Sequence, residues 1–247
     1  MNFQSLKNKK PDLLEIIDSV KPDIIMGTET WLDSNIFSYD YCPSNSYNVY
    51  RHDIPPNIED QSHSGAIKKD FVSSEITELK TNCEIIWADI NIAGSKNLQV
   101  ASYYRPPSDK GQALKQLQSS INRINRQSNS TVIIGCDFNL GHIDWSNNCV
   151  ITGRPDQSEH QQHLDIIHDS NRHQVVDIPT RNDRILDLVL INIPTRINKI
   201  STPPPPLDYV IMILFMSKQT SGLGGSEKHL MKYLNITKPI GITSEQI

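Results

Sequence analysis

Short β-rich apolar runs alternate with helical stretches as far as residue 192, and that order confines the chain to an α/β architecture. Leu13, Leu14, Ile16, Ile17 and Val20 recur at helical spacing. Pro11 suits the first turn of that helix and Pro22 closes it. Residues 23–27 then read as a short buried strand and residues 47–51 as another. Residues 53–64 are polar, carry Pro55-Pro56, and read as a loop. Residues 84–92 and 98–104, with Gly94-Ser95 between them, predict two paired strands. Leu114, Leu117, Ile121 and Ile124 mark an amphipathic helix. Residues 158–170 predict a further helix, with His160, His163 and His168 on a solvated face. Residues 131–135, 174–178 and 185–191 supply more strands. After Pro203 to Pro206 the pattern decays; residues 209–216 are a candidate last strand and the remainder shows no period.

A chain of 247 residues, 37% hydrophobic, is long enough for one sizeable core. The expected division is a domain over 1–215 and a tail over 216–247. The net charge of -4 gives no global attraction to nucleic acid, so such contact would need a local basic face or a metal ion. Cys42, Cys83, Cys136 and Cys149 form no CxxC pair, which argues against a zinc knuckle and for reduced thiols. The N-terminus shows no leader-like apolar region, and the run 209–216 is far shorter than the ~20 residues of a membrane span. The chain is therefore expected inside the cell, nuclear or cytoplasmic, and not secreted.

Glu29, Asp137 and Asp187 all fall at predicted strand ends, where α/β folds bind ligands. Oxygen-only donors at such a rim suit a hard cation such as Mg²⁺. The most specific cluster is Ile133-Ile134-Gly135-Cys136-Asp137-Phe138-Asn139. Its acid and amide sit two apart and can share a side, positioning a water and a phosphate oxygen; equally, both could cap a turn. Asp187 stands in the apolar run 185–191, where a carboxylate is costly unless paired or neutralised; an outward-facing edge position is the alternative. Glu29 alone fits a solvated loop as well as a site. Tyr103, Tyr104 and Arg105 precede Pro106-Pro107 at a strand end, where they could meet phosphate or a base, or belong to the core.

Taken in order, the segments NFQSL (2–6), KPDIIMGTETWL (21–32), ASYYRPP (101–107), IIGCDFN (133–139), QVVDIPTR (174–181) and LDLVLIN (186–192) resemble one family. It is the endonuclease domain of LINE-type (non-LTR, jockey-like) retrotransposons, within the exonuclease–endonuclease–phosphatase superfamily that includes apurinic-site endonucleases and DNase I. The resemblance spans about residues 1–210. It implies two mixed β-sheets packed face to face with outer helices, a DNase I-like four-layer sandwich. It also implies Mg²⁺-dependent hydrolysis of a DNA phosphodiester, with Mn²⁺ as an alternative ion. That reaction nicks target DNA for a reverse transcriptase domain that this sequence does not contain. By the same resemblance Glu29, Asp187 and Asn2 lie at the metal, and Asp137 orients or deprotonates the attacking water. Asn139 contacts phosphate, Tyr104 is the active-site tyrosine with Tyr103 the other register, and Arg105, Thr180 and Arg181 face DNA or phosphate.

Departures from the family pattern are equally visible. Where Ser-Asp-His would stand the chain reads Pro203 to Pro206, Leu207, Asp208, Tyr209, so Asp208 is a candidate remnant without its histidine. The first strand, which would precede Asn2, is missing, and its loss should expose neighbouring strand edges. The glycine-rich strand shortens to residues 64–69, and Cys136 replaces a usual glycine. A lost oxyanion donor commonly costs about 10²–10³ in rate, so an impaired endonuclease is expected. The alternatives are a phosphoesterase of the same superfamily and a non-catalytic degenerate fragment.

Overall fold

The computed structural model describes residues 6–53, 63–127, 130–201, 211–219 and 228–236. Helix α1 (Lys10–Val20) carries Pro11 in its first turn and ends at Lys21, whose left-handed backbone returns its amide to the Ile17 carbonyl. Six strands follow: β1 (Ile24–Gly27), β2 (Tyr47–His52), β3 (His63–Lys68), β4 (Val72–Glu75), β5 (Glu84–Asn91) and β6 (Leu98–Tyr104). Helix α2 (Gln112–Gln127) leads to β7 (Thr131–Asp137), β8 (Ile143–Asp144) and β9 (Cys149–Val150). Helix α3 (Gln157–Asp169) precedes β10 (His173–Gln174), β11 (Asp187–Ile191), β12 (Ile197–Ser201), β13 (Ile211–Gln219) and β14 (Lys228–Ile236).

One sheet runs β12-β14-β13-β1-β3-β2 and the other β10-β11-β7-β6-β5-β4. Each is mixed, with one parallel pair (β12 with β14; β6 with β7) among antiparallel neighbours. Helix α2 makes the crossover that a parallel β6–β7 pair requires. Side-chain alternation then builds the layers. Ile24 and Met26 of β1 face the second sheet, among Val100, Ile133 and Val189, while Ile25 faces α1 with Leu13 and Ile16. On the far side Val132, Ile134, Leu188 and Leu190 pack with Leu114, Leu117, Ile121 and Ile124 of α2. The order is helix, sheet, sheet, helices, the four-layer sandwich that the family resemblance implied.

The structure corrects several expectations. The edge of β1 is not exposed: β13 pairs with it antiparallel (Ile24 opposite Leu214, Met26 opposite Met212), and β3 covers its other side. Strand β13 runs through residue 215, and β14, from the stretch without period, pairs along all of it. The strand expected at 174–178 shrinks to β10, because the Gln174 side chain bonds both the amide and the carbonyl of Val176 and so takes backbone groups from the ladder. Only His168 of the three α3 histidines is solvated. His160 and His163 are buried, on the stripe with Glu159 and Ile166 that faces the protein. His160 accepts from the His142 amide and its other nitrogen meets the Asp156 carbonyl. His163 lies against Phe138 and Trp145. Asn2 and Asp208 lie outside the described residues.

Candidate active site

The site is built where β1, β6, β7 and β11 end. Up to Gly135, β7 alternates regularly, Ile133 toward the other sheet and Ile134 toward α2. A regular continuation would turn Cys136 toward α2. Its φ of 105° instead turns the side chain into the space between the sheets, where Sγ lies 3.5 Å from the Ser102 hydroxyl. That hydroxyl also contacts the Gly27 carbonyl at 3.0 Å, tying the end of β1 to the second sheet two residues before Glu29. Sequence reasoning passed over Ser102, since a serine within a buried strand carries no spacing signal. A non-glycine residue in such backbone costs about 1–3 kcal/mol. Cys136→Gly and Cys136→Ala both remove the sulfur, but only the first relieves the backbone. In urea denaturation Cys136→Gly should therefore be the more stable of the two by about 1 kcal/mol; the reverse order would contradict the strain.

Beyond this distortion Asp137 stands directly opposite Asp187 in the β7–β11 pairing, and both are fully buried. One oxygen of Asp137 accepts from the Asn139 amide at 3.0 Å, holding Asn139 in a tight turn at φ 51°. The other accepts from Arg181 Nη2 at 3.2 Å. Neither oxygen of Asp187 meets hydrogen-bond geometry with another described residue, although the nearby Thr180 hydroxyl and the Arg181 charge both favour its ionised form. Burial, reinforced by the neighbouring Asp137 charge, pushes Asp187 up to about 7. Glu29 is almost buried just past β1, also in left-handed backbone, at φ 50°. Burial works against the Arg181 charge, but Asp137, Asp187 and Glu29 together outweigh it and raise its pKa. Arg181 thus feels the charge of all three carboxyls and contacts Asp137 directly.

The remaining residues separate into those at the rim and those turned away from it. On β6, Tyr104 shares a side with Ser102, between the sheets, whereas Tyr103 lies against Phe138 in the core under the helices. Only Tyr104 therefore sits on the side of the site. Arg105 is 1% exposed and points inward: Nη2 donates to the Asp109 carbonyl, Nη1 to the Asn139 carbonyl, and Nε lies 3.5 Å from Asp109 Oδ2. The Asn139 side chain donates back to the Arg105 carbonyl at 2.8 Å. Arg105 thus braces the loop that carries Asn139. The Thr180 hydroxyl accepts from the amides of Leu186 and Asp187 and fixes the hairpin that delivers Asp187. A groove of about 600 Å³ opens beside the site, lined by Gly141, His142, Trp145, Arg154 and Arg184 among others.

A buried acid with no oxygen in hydrogen-bond geometry among the described residues, beside a second acid, is chemically suited to a hard cation. Among the described residues no three His, Cys, Asp or Glu side chains close on one point as metal ligands. Mg²⁺ does not need such a cage: one or two carboxylates, with water and substrate oxygens, complete its shell. The donor set therefore fits a divalent ion of this kind. No helix among the described residues is long and apolar enough to cross a membrane.

Residues 98–208 match the family model described as Endonuclease-reverse transcriptase. No curated protein matches the chain significantly. Among solved structures, the endonuclease domain of TRAS1, a telomere-specific non-LTR retrotransposon, matches with a TM-score of 0.55 at 17% identity, covering 77% of this chain and 82% of that one. The AP endonuclease LMAP from Leishmania major matches at 0.58 and 13%, covering 77% of each chain. The catalytic domain of Xenopus laevis APE2 matches at 0.53 and 15%, covering 96% of this chain and 91% of that one. The chain therefore has the endonuclease/exonuclease/phosphatase fold, and its stretch from residue 98 to residue 208 carries the pattern of the endonuclease–reverse transcriptase family.

Proposed function

We propose that this rim hydrolyses phosphodiester bonds of DNA with the help of a divalent ion, Mg²⁺ or Mn²⁺, as a target-nicking endonuclease serving a reverse transcriptase. The observation that carries the reading is the buried Asp187 carboxylate directly opposite Asp137, with neither oxygen in hydrogen-bond geometry with another described residue. Asp187 and Glu29 are the residues that would hold the ion, with Asn2 as a third. Bound there, a divalent ion neutralises charge developing on the phosphoryl oxygens.

The chain's own groups do the rest. Asp137, fixed by the Asn139 amide, orients the attacking water and accepts its proton. The Asn139 amide, held by the Arg105 carbonyl, offers its second N–H to a phosphate oxygen. Arg181 is partly exposed and gives the phosphate a cationic contact, and Tyr104, buried on the same side of β6 as Ser102, stands next to the site. Turnover is slow, because no histidine partners Asp187 among the described residues and a lost oxyanion donor commonly costs about 10²–10³.

Supercoiled plasmid in Mg²⁺ provides the test. Slow conversion to the nicked circle is expected, ending on addition of EDTA and falling at least about 10²-fold in Asp137→Ala. Nicking that survives that substitution would remove the proposal. Hydrolysis of soluble phosphoesters without nicking would assign the site to the phosphatase branch.

A further inference from the structure

We infer that Arg181 is a tethered counter-ion that competes with the divalent ion for the acidic rim, so that ion loading and release of the guanidinium toward the phosphate are a single exchange. The inference rests on the metal-assisted reading above and concerns how the same site is regulated. Its basis is how Arg181 is held. The backbone is fixed: the Thr180 and Arg181 amides both bond the Arg184 carbonyl, and the Arg184 amide returns to Arg181. The side chain is held far more loosely, by one Nη2–Oδ2 contact of 3.2 Å to Asp137 instead of the two parallel bonds a guanidinium can make to a carboxylate. The Arg181 side chain is 40% exposed, whereas Asp137 is fully buried, so the guanidinium covers the acids from the solvent side and can leave without unpacking the core.

The acids explain why it stays while no other cation is bound. Asp137 and Asp187 are paired neighbours, and Glu29 adds a third negative group felt by the same guanidinium. Placing a second cation on this rim leaves the guanidinium with weaker attraction and with repulsion from the newcomer. A phosphate oxygen is the natural next partner for a freed arginine. Arg181 thereby guards the acids against self-repulsion in the empty chain and becomes available only when the site is loaded. An internal competitor that occupies the acids about 90% of the time weakens ion binding about tenfold.

Mn²⁺ binding to the full chain, counted from loss of the free-ion EPR signal and checked by thermal melts with and without Mn²⁺, reads the competition without any turnover. Arg181→Gln should bind Mn²⁺ about tenfold more tightly than the parent chain, melt lower without the ion, and gain more from it. Arg181→Lys, a single point charge on a flexible stem, should fall between the two. Equal or weaker binding in Arg181→Gln would overturn the inference while leaving the metal-assisted reading in place. Should Arg181→Gln fail to fold, Arg181→Lys decides alone: tighter binding than the parent supports the exchange and unchanged binding overturns it. Binding by none of the forms, with no shift in melting, would remove both the inference and the metal reading. Binding that also survives Asp187→Asn together with Glu29→Gln would place the ion elsewhere, with the same consequence for both.

Discussion

Asp187→Asn should stabilise the chain in alkaline solution and leave it nearly unchanged in acid. Asp187 is fully buried, with neither oxygen in hydrogen-bond geometry with another described residue, and burial and the adjacent Asp137 outweigh Arg181 and Thr180 to raise its pKa from the ordinary 3.8 to about 7. A raised carboxyl pKa means that the folded chain binds a proton the unfolded chain has already released. Below pH 4 both states hold that proton and Asp187 costs nothing. As the pH climbs from about 4 to about 7 the folded state loses ground, and above 7 the full penalty stands, with an upper bound of roughly 4 kcal/mol. The asparagine amide also lacks partners, but that cost does not vary with pH. The measurement is urea denaturation of both chains in EDTA at pH 4.5, 6 and 8. The stability difference should shift in favour of the variant by roughly 3–4 kcal/mol between the first and last. A difference that stays flat would mean that the carboxyl finds a partner in solution, and the argument for a cation-seeking rim would lose its basis.

The second large effect has the opposite sign in pH. His163 is fully buried between Phe138 and Trp145, and neither ring nitrogen has a hydrogen-bond partner among the described residues. Burial, with the Arg105 charge nearby, pushes its pKa down from 6.5 to about 3. Here the unfolded chain binds the proton first, so stability is whole above pH 6.5 and drains away as the pH falls toward 3. His163→Leu should abolish that loss, gaining roughly 3–4 kcal/mol over the parent at pH 3.5 relative to pH 7.5. Acid titration of the circular-dichroism signal measures it. Parallel acid unfolding of the two chains would show that His163 is hydrated after all. In the parent the two groups oppose each other between pH 4 and 6.5, so neither slope is visible until one is removed.

How legible all this is from residues alone depends on which force sets each element. Strand β6 and helix α2 are read correctly because burial on one or both faces writes a period into the sequence: Leu114, Leu117, Ile121 and Ile124 are all buried where that period puts them. Strand ends suggest that positions 29, 137 and 187 belong together, but Arg181, which feels all three charges, needs coordinates, since the hairpin at 180–184 is set by turn hydrogen bonds. The α3 histidines mislead because a neutral imidazole packs as an aromatic ring, whereas general exposure statistics treat it as polar. Strand β4, with an exposed Val72, and the two-residue β8 and β9 are too short or too exposed to carry a period. Strand β14 carries no readable period either, yet it pairs along all of β13.

The pairing of Ile25 with Ile213 has a consequence for the birth of this protein. The strand around Ile25 waits for a neighbour synthesised far downstream, so a ribosome must deliver everything between them before that layer closes. Until then the apolar ribbon around Met26 has one open side and is a natural client for chaperones. Slow elongation late in the message would prolong that interval, and with it the chance that two nascent copies pair with each other instead of with themselves.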